Sequence, residues 1–300
     1  MSLFEGLSAF PITPADASGR VDVEALGRIL LRIRDAKADS IGLLGSTGGY
    51  AFLTAEERIR AVDAAINAVG GDIPVIVGVG AIRTSDAQTL AKAARIAGAD
   101  GLLLAPVSYA PLTEDEVYEH FAAVADAGQL PLCIYNNPGT TKFVFTNSLI
   151  AKLSKVANIA AVKMPLPAED DFAGELAYLR GHTSPTFRIG YSGDSGAAPS
   201  LLAGGDAWFS VVGGLLPAQA LALTRAAQSG DRVRTGEIDG AFQPLWTLFR
   251  EFGSFRVMYT IADVLGLCRV DPPRPVLPIP EAARGRVAVA VNELQQRVPG

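Results

Sequence analysis

Cysteine is nearly absent, Cys133 and Cys268 being the only two in 300 residues. They lie far apart and in no Cys-x-x-Cys or Cys/His spacing, which argues against a metal site and points to a reducing compartment. Histidine is as scarce, with two residues. His120 falls in the helical stretch Val117 to Phe121 and His182 in a loop, so both suit surface or packing roles. Little remains for a histidine-dependent mechanism or a metal cluster. Basic clusters interleaved with aromatics are missing and the formal charge is -5, which offers nucleic acid no footprint. No apolar run approaches the ~18 residues of a spanning helix. Met1 to Gly6 lacks the basic and apolar regions of a signal peptide. The expected setting is the cytoplasm, away from membranes.

Apolar residues, by contrast, make up 49% of the chain and charged ones 19%, so a large core is available and disorder is not expected. Short apolar runs alternate with longer amphipathic ones. Strands are expected at Leu7 to Ile12, Ser40 to Leu44, Pro74 to Gly78, Gly101 to Leu104, Pro131 to Tyr135, Asn158 to Lys163, Phe187 to Tyr191 and Ala207 to Val211. The intervening helices have recognisable starts at Thr54-Ala55-Glu56-Glu57, Thr84-Ser85-Asp86 and Thr113-Glu114-Asp115-Glu116, each a hydroxyl N-cap before acidic first-turn residues. Glycine closes others, at Ala97-Gly98 and Val69-Gly70-Gly71. This α/β pattern predicts a (β/α)8 TIM barrel over residues 1–225, followed by a C-terminal helical extension over 226–300. An open doubly wound sheet is the alternative, weakened because no Gly-x-Gly-x-x-Gly turn follows the first strand.

Lys163 ends the apolar run from Asn158 and is followed within two residues by Pro165. Lysine is rarely buried unless it is paired or used. An amine among apolar walls loses solvation of its charged form, its pKa falls, and it can attack a carbonyl. Active sites of barrels gather at the C-terminal ends of strands. Alternation puts Ala161 and Lys163 on one face, and Cys133 with Tyr135 on one face of the preceding strand. Strands lie roughly 5 Å apart, so Tyr135 can face Lys163 and relay protons. The turn Gly45-Ser46-Thr47-Gly48-Gly49 joins the second strand to its helix. Its glycines admit a ligand close to the backbone, and its hydroxyls and N–H groups can cradle a carboxylate. Gly193, beyond the seventh strand, and Phe209, in the eighth, are further candidate substrate-binding residues. Ordinary turns at Ser192–Gly196 and Val212–Gly214, or a phosphate site there, remain open readings.

Gly45-Ser46-Thr47-Gly48, Tyr135-Asn136-Asn137-Pro138, Val162-Lys163 and Ser192-Gly193-Asp194, with the opening Ala9 to Pro14, resemble the dihydrodipicolinate synthase/N-acetylneuraminate lyase family in order and spacing across the whole chain. The resemblance implies a class I aldolase-type barrel, usually a homotetramer, that needs no metal or organic cofactor. By the same resemblance Lys163 is the Schiff-base lysine and Tyr135 the catalytic tyrosine. Ser46 and Thr47 hold the carboxylate of a 2-keto acid, with Thr47 also in the proton relay. Family synthases carry an arginine where Thr140 falls, to grip a second carboxylate. Sialic acid lyases place a threonine where Pro165 stands and an acidic pair where this chain has Asp194, Ser195 and Gly196. The glutamate that often follows the turn is Gly49. The tyrosine donated by a neighbouring subunit falls near Ser108-Tyr109, one position off, which makes Tyr109 the candidate relay residue.

These readings converge on a Schiff-base lyase, whether aldolase, dehydratase or deaminase. It would act on a small 2-keto acid such as pyruvate, as a homo-oligomer (tetramer or dimer), and would not be a true dihydrodipicolinate synthase. The alternatives are a catalytically silent binding or regulatory barrel, and a phosphate-binding barrel enzyme that uses no imine.

Overall fold

Eight parallel strands close on themselves in chain order: β1 (Gly6–Ala9), β2 (Ser40–Leu43), β3 (Val75–Gly78), β4 (Gly101–Leu104), β5 (Leu132–Tyr135), β6 (Ile159–Met164), β7 (Arg188–Tyr191) and β8 (Ala207–Ser210). The structure is a computed structural model that describes residues 3–300. Between and after the strands run α1 (Val23–Asp35), α2 (Ala55–Val69), α3 (Thr84–Ala97), α4 (Glu114–Gly128), the short α5 (Pro138–Thr141), α6 (Asn147–Leu153), α7 (Phe172–His182), α8 (Ala197–Leu202) and α9 (Pro217–Gln228). The expected TIM barrel is therefore present. Its C-terminal extension is α10 (Arg232–Phe252), α11 (Ser254–Val264) and α12 (Glu281–Arg297). Helix α9 runs across residue 225 and packs on both β1 and α10, so the barrel passes into the extension without a linker. No helix among the described residues is long and apolar enough to cross a membrane.

Local chemistry sets the element ends. Strand β1 stops at Ala9, short of the expected Ile12, because Pro11 has no N–H to continue the ladder. Strand β8 stops at Ser210, because the N–H of Val211 donates to the Asp194 carboxylate. Asn158 sits at φ +69°, outside β6, and the strand runs on to Met164. Thr54 and Thr113 cap α2 and α4, Thr113 in a reciprocal capping box with Glu116. Thr84 is not the cap expected of it. It is the first residue of α3, and its hydroxyl pairs with His120 Nδ1 at 2.9 Å.

Side chains divide by the pleat. Leu132, Ile134 and Val162 face outward into the layer between sheet and helices, where α1 adds Leu26, Ile29, Leu30 and Ile33 at helical spacing. Each such burial contributes about 1.5–3 kcal/mol. Phe10, Ile76, Leu103, Cys133, Ala161 and Phe209 fill the barrel interior. Two aromatic rings need space there, and glycine supplies it. A Cβ on Gly42 would lie 2.2 Å from the Phe10 ring, and one on Gly190 would lie 2.6 Å from the Phe209 ring. Gly42→Ala should therefore overpack the interior and lower the free energy of unfolding by about 1–3 kcal/mol. Urea unfolding of the two proteins measures this directly, and an unchanged midpoint would show that Phe10 relocates without cost.

Candidate active site

Lys163 is 3% exposed, and its register partner across the sheet is Tyr135. Its ammonium nitrogen lies 3.8 Å from the Phe10 ring centroid, 4.3 Å from that of Tyr135 and 5.6 Å from that of Phe209. Nζ has no salt bridge or hydrogen-bond acceptor among the described residues. Burial pulls its pKa from 10.5 down to about 7, against the smaller opposing pull of Cys133 and Asp194. A substantial neutral fraction thus exists near neutral pH. The Cys133 thiol beside it is fully buried and pushed well above its usual range by desolvation, so it stays protonated.

The Tyr135 phenol is equally organised. Asn137 Nδ2 donates to its oxygen at 3.0 Å, and Ser46 Oγ lies 3.2 Å away. Burial raises the phenol pKa more than these two partners lower it, so the group holds its proton and can give it up to a developing charge. The turn that delivers Ser46 is tight. Leu44 takes φ +56°, a left-handed conformation costly for a residue with a Cβ. Gly48 has no room for a side chain, since a Cβ there would meet Leu44 Cα at 2.9 Å. The strained turn folds Ser46 and Thr47 over the barrel mouth. Just beyond, Tyr50 lies under the buried Arg58 guanidinium at 5.2 Å, and Arg58 donates to the carbonyls of Gly78 and Gly80 at 2.8 and 2.9 Å.

Asp194 closes the opposite side. Its carboxylate accepts from Trp208 Nε1 at 3.0 Å and from the N–H groups of Val211 and Val212 at 3.0 and 2.7 Å. Burial nevertheless lifts its pKa to about 6. Gly213 N–H goes to Ser210 Oγ and Gly214 N–H to Val211 O. The donors that a phosphate would need at Val212–Gly214 are thus engaged within the fold. That disfavours the phosphate-binding reading.

Above Lys163 opens a cavity of about 580 Å³, with Ser46, Thr47, Tyr135, Thr140 and Gly193 among its lining. The structure therefore brings these expected residues together with Lys163. Phe209 lies beneath, against Nζ. Gly48 is not on the cavity wall, and its part is steric. Thr47 is 6% exposed and on the wall, but no hydrogen bond joins it to Tyr135; the phenol's partners are Ser46 and Asn137. Tyr109 is 97% exposed on the loop after β4 and does not reach the cavity of its own chain. Thr140 directs its hydroxyl to Asn137 O at 3.3 Å.

Three contributions escaped the sequence. Phe10, inside the run expected as a strand to Ile12, lies in a loop just beyond β1 and has no part assigned to it in the sequence reading. Asn137 sat inside the quoted motif without a role. A whole wall comes from the extension: Trp246, Phe249 and Arg250 on α10, Phe255 on α11, and Val276. The spacing of 246, 249 and 250 by three and four residues was the available signal of a shared face. Among the described residues no His/Cys/Asp/Glu group could hold a metal ion.

The dihydrodipicolinate synthetase family model matches residues 3–294. A 4-hydroxy-tetrahydrodipicolinate synthase of Pseudomonas putida is 32% identical over 283 residues, covering 94% of this chain and 95% of its own. That of Gluconacetobacter diazotrophicus is 32% identical over 293 residues, covering 97% of each. Among solved structures, a dihydrodipicolinate synthase from Agrobacterium tumefaciens is 56% identical, with a TM-score of 0.96 over 97% of this chain and 98% of its own. One from Aquifex aeolicus is 29% identical, with a TM-score of 0.89 over 99% of this chain and all (100%) of its own.

Burial of Lys163 has a thermodynamic signature. Its folded pKa lies below its unfolded value, so the penalty on the folded state is fully present below about pH 7 and fades as pH rises toward 10.5. Lys163→Met should therefore raise Tm most at pH 6 and least near pH 10. Thermal unfolding across that range checks the slope, and a pH-independent difference would mean the amine reaches water.

Proposed function

Because the chain belongs to the dihydrodipicolinate synthetase family, whose members are lyases of the class I aldolase type, we propose that it joins a small 2-keto acid such as pyruvate to Lys163 as a Schiff base. The observation that carries this reading is the buried amine, with a neutral form accessible near pH 7, facing a protonated phenol on the cavity floor. Ser46 and Thr47 receive the carboxylate. The amine attacks the keto carbon to give a carbinolamine. Tyr135 shuttles protons from nitrogen to oxygen, and water leaves to form the iminium. That cation draws the electron pair of a bond at the next carbon, which then breaks or forms, and Tyr135 returns the proton.

We place the enzyme in the cytoplasm as a homo-oligomer. Tyr109 supports the oligomer, since it stands almost fully exposed on the loop after β4, where the family resemblance puts a residue shared with a neighbour. We further propose that condensation with aspartate semialdehyde is not its reaction, although the relatives named above carry that synthase's name. At the position of the synthase arginine, Thr140 offers a neutral hydroxyl. The nearby Lys142 Nζ donates to Gly139 O at 3.0 Å and is not on the cavity wall.

Pyruvate with borohydride should add the reduced adduct to the peptide containing Lys163, faster as pH rises through about 7 and the amine loses its proton. Lys163→Ala should abolish the adduct and turnover. Tyr135→Phe should slow imine formation by roughly 10²–10⁴-fold. An adduct that persists in Lys163→Ala would overturn the imine at this residue. Purified protein should also condense pyruvate with aspartate semialdehyde poorly. Losing a bidentate guanidinium grip of about 1.5–3 kcal/mol per bond costs orders of magnitude in kcat/KM. Efficient condensation in a coupled assay would refute this exclusion.

A further inference from the structure

The cavity is much larger than pyruvate needs. At about 580 Å³ it is of the size that encloses extended ligands. Its charges are few and unequal in their commitments. Lys163 is at the floor. Asp194 is buried and holds three donors of the fold. The third charged group is Arg250, on the wall that α10 contributes. Its one hydrogen bond is Nη2 to Thr247 Oγ1 at 3.2 Å, and it has no carboxylate partner among the described residues. The adjacent Glu251 cannot neutralise it, because Arg286 grips that carboxylate with bonds of 2.9 and 2.6 Å. Guanidinium carries five N–H donors, so most of Arg250's fork is unused. Trp246, Phe249 and Phe255 beside it form an apolar wall that would cover a carbon chain reaching up from the floor.

From this arrangement we infer that Arg250 holds the far carboxylate of a substrate whose 2-keto acid end is on Lys163. The inference deepens the Schiff-base reading and rests on it. The substrate class is then a dicarboxylic 2-keto acid, or a compound that yields one, longer than pyruvate. One carboxylate rests on the Ser46/Thr47 turn, and the other makes paired charge-assisted bonds at the rim. This anion is on the wall supplied by the C-terminal extension, whereas family synthases grip theirs with an arginine at the Thr140 position.

Borohydride trapping with two six-carbon probes, 2-oxohexanoate and 2-oxoadipate, tests the idea, with pyruvate as reference. The readout is the ratio of half-saturating concentrations for adduct formation. In the wild-type protein 2-oxoadipate should saturate at about ten-fold lower concentration, and the gap should narrow at high salt. In Arg250→Gln the ratio should collapse toward one, and in Arg250→Lys it should be partly restored. Arg234→Gln removes an exposed cation of the same helix that is paired with Glu237, and should leave the ratio as it is. Equal saturation by the two probes, or a gap that survives Arg250→Gln, would overturn the assignment while a pyruvate adduct still formed. Failure of pyruvate itself to form an adduct would remove the imine reading and this inference with it.

Discussion

An ammonium group stripped of water is unfavourable, and the barrel interior is arranged around one lysine held in that condition. Lys163 has three ring faces near its nitrogen and no counter-ion bonded to it. Aromatic faces return part of the lost hydration to a cation. On the proposed Schiff-base route they do so for the ammonium, which must be given up before attack, and equally for the iminium that follows. The protonated Schiff base carries its charge on the same nitrogen, so fixed ring faces favour it over the neutral imine and keep it an electron sink. An ion-paired lysine would lack this balance. A carboxylate bonded to Nζ would hold the amine protonated and leave it inert near neutrality.

That placement makes demands on distant parts of the chain. The Phe10 ring can lie under Nζ only because β2 carries glycine at position 42 and the following turn carries it at 45, where a Cβ would approach the ring to 2.6 Å. Phe209 depends likewise on Gly190. Strain at Leu44 and the fixed network at Asp194 then hold the rim, one on each side. Asp194 also contributes an anion whose field pulls slightly against the desolvation of Lys163. It touches no reacting atom as the site stands; it positions the loops after β7 and β8.

The sequence carried the alternation of strands and helices because each element has its own periodicity and its own stop signals. It carried the pairing of Tyr135 with Lys163 because the pleat fixes which side chains share a face. It could not carry Phe10, which lies past the end of β1 and reaches the centre only when the barrel closes. Thr84 shows the same limit at smaller scale. Its local pattern is that of an N-cap, and a tertiary partner, His120 on α4, takes its hydroxyl instead. The wall from α10 was hidden for another reason. Its helical face was evident as a pattern, but whether that face meets solvent, a partner or the barrel mouth depends on how the extension docks.

On the proposed assignments, reaction and selection are built from materials with different tolerances. Lys163, Tyr135 and their supporting rings are embedded in strand register, so displacing any of them disturbs close-packed neighbours. The upper wall belongs to a helix whose cavity face includes exposed positions. A change at Arg250 removes charge from the rim without removing a core contact. Nothing in the bond-making chemistry of an imine depends on what stands several carbons away. In the proposed assignment the distal group of the substrate instead decides how long the bound acid is held with its keto carbon against the amine. On these proposals a barrel of this kind keeps one covalent step while its C-terminal helices choose the acid that undergoes it.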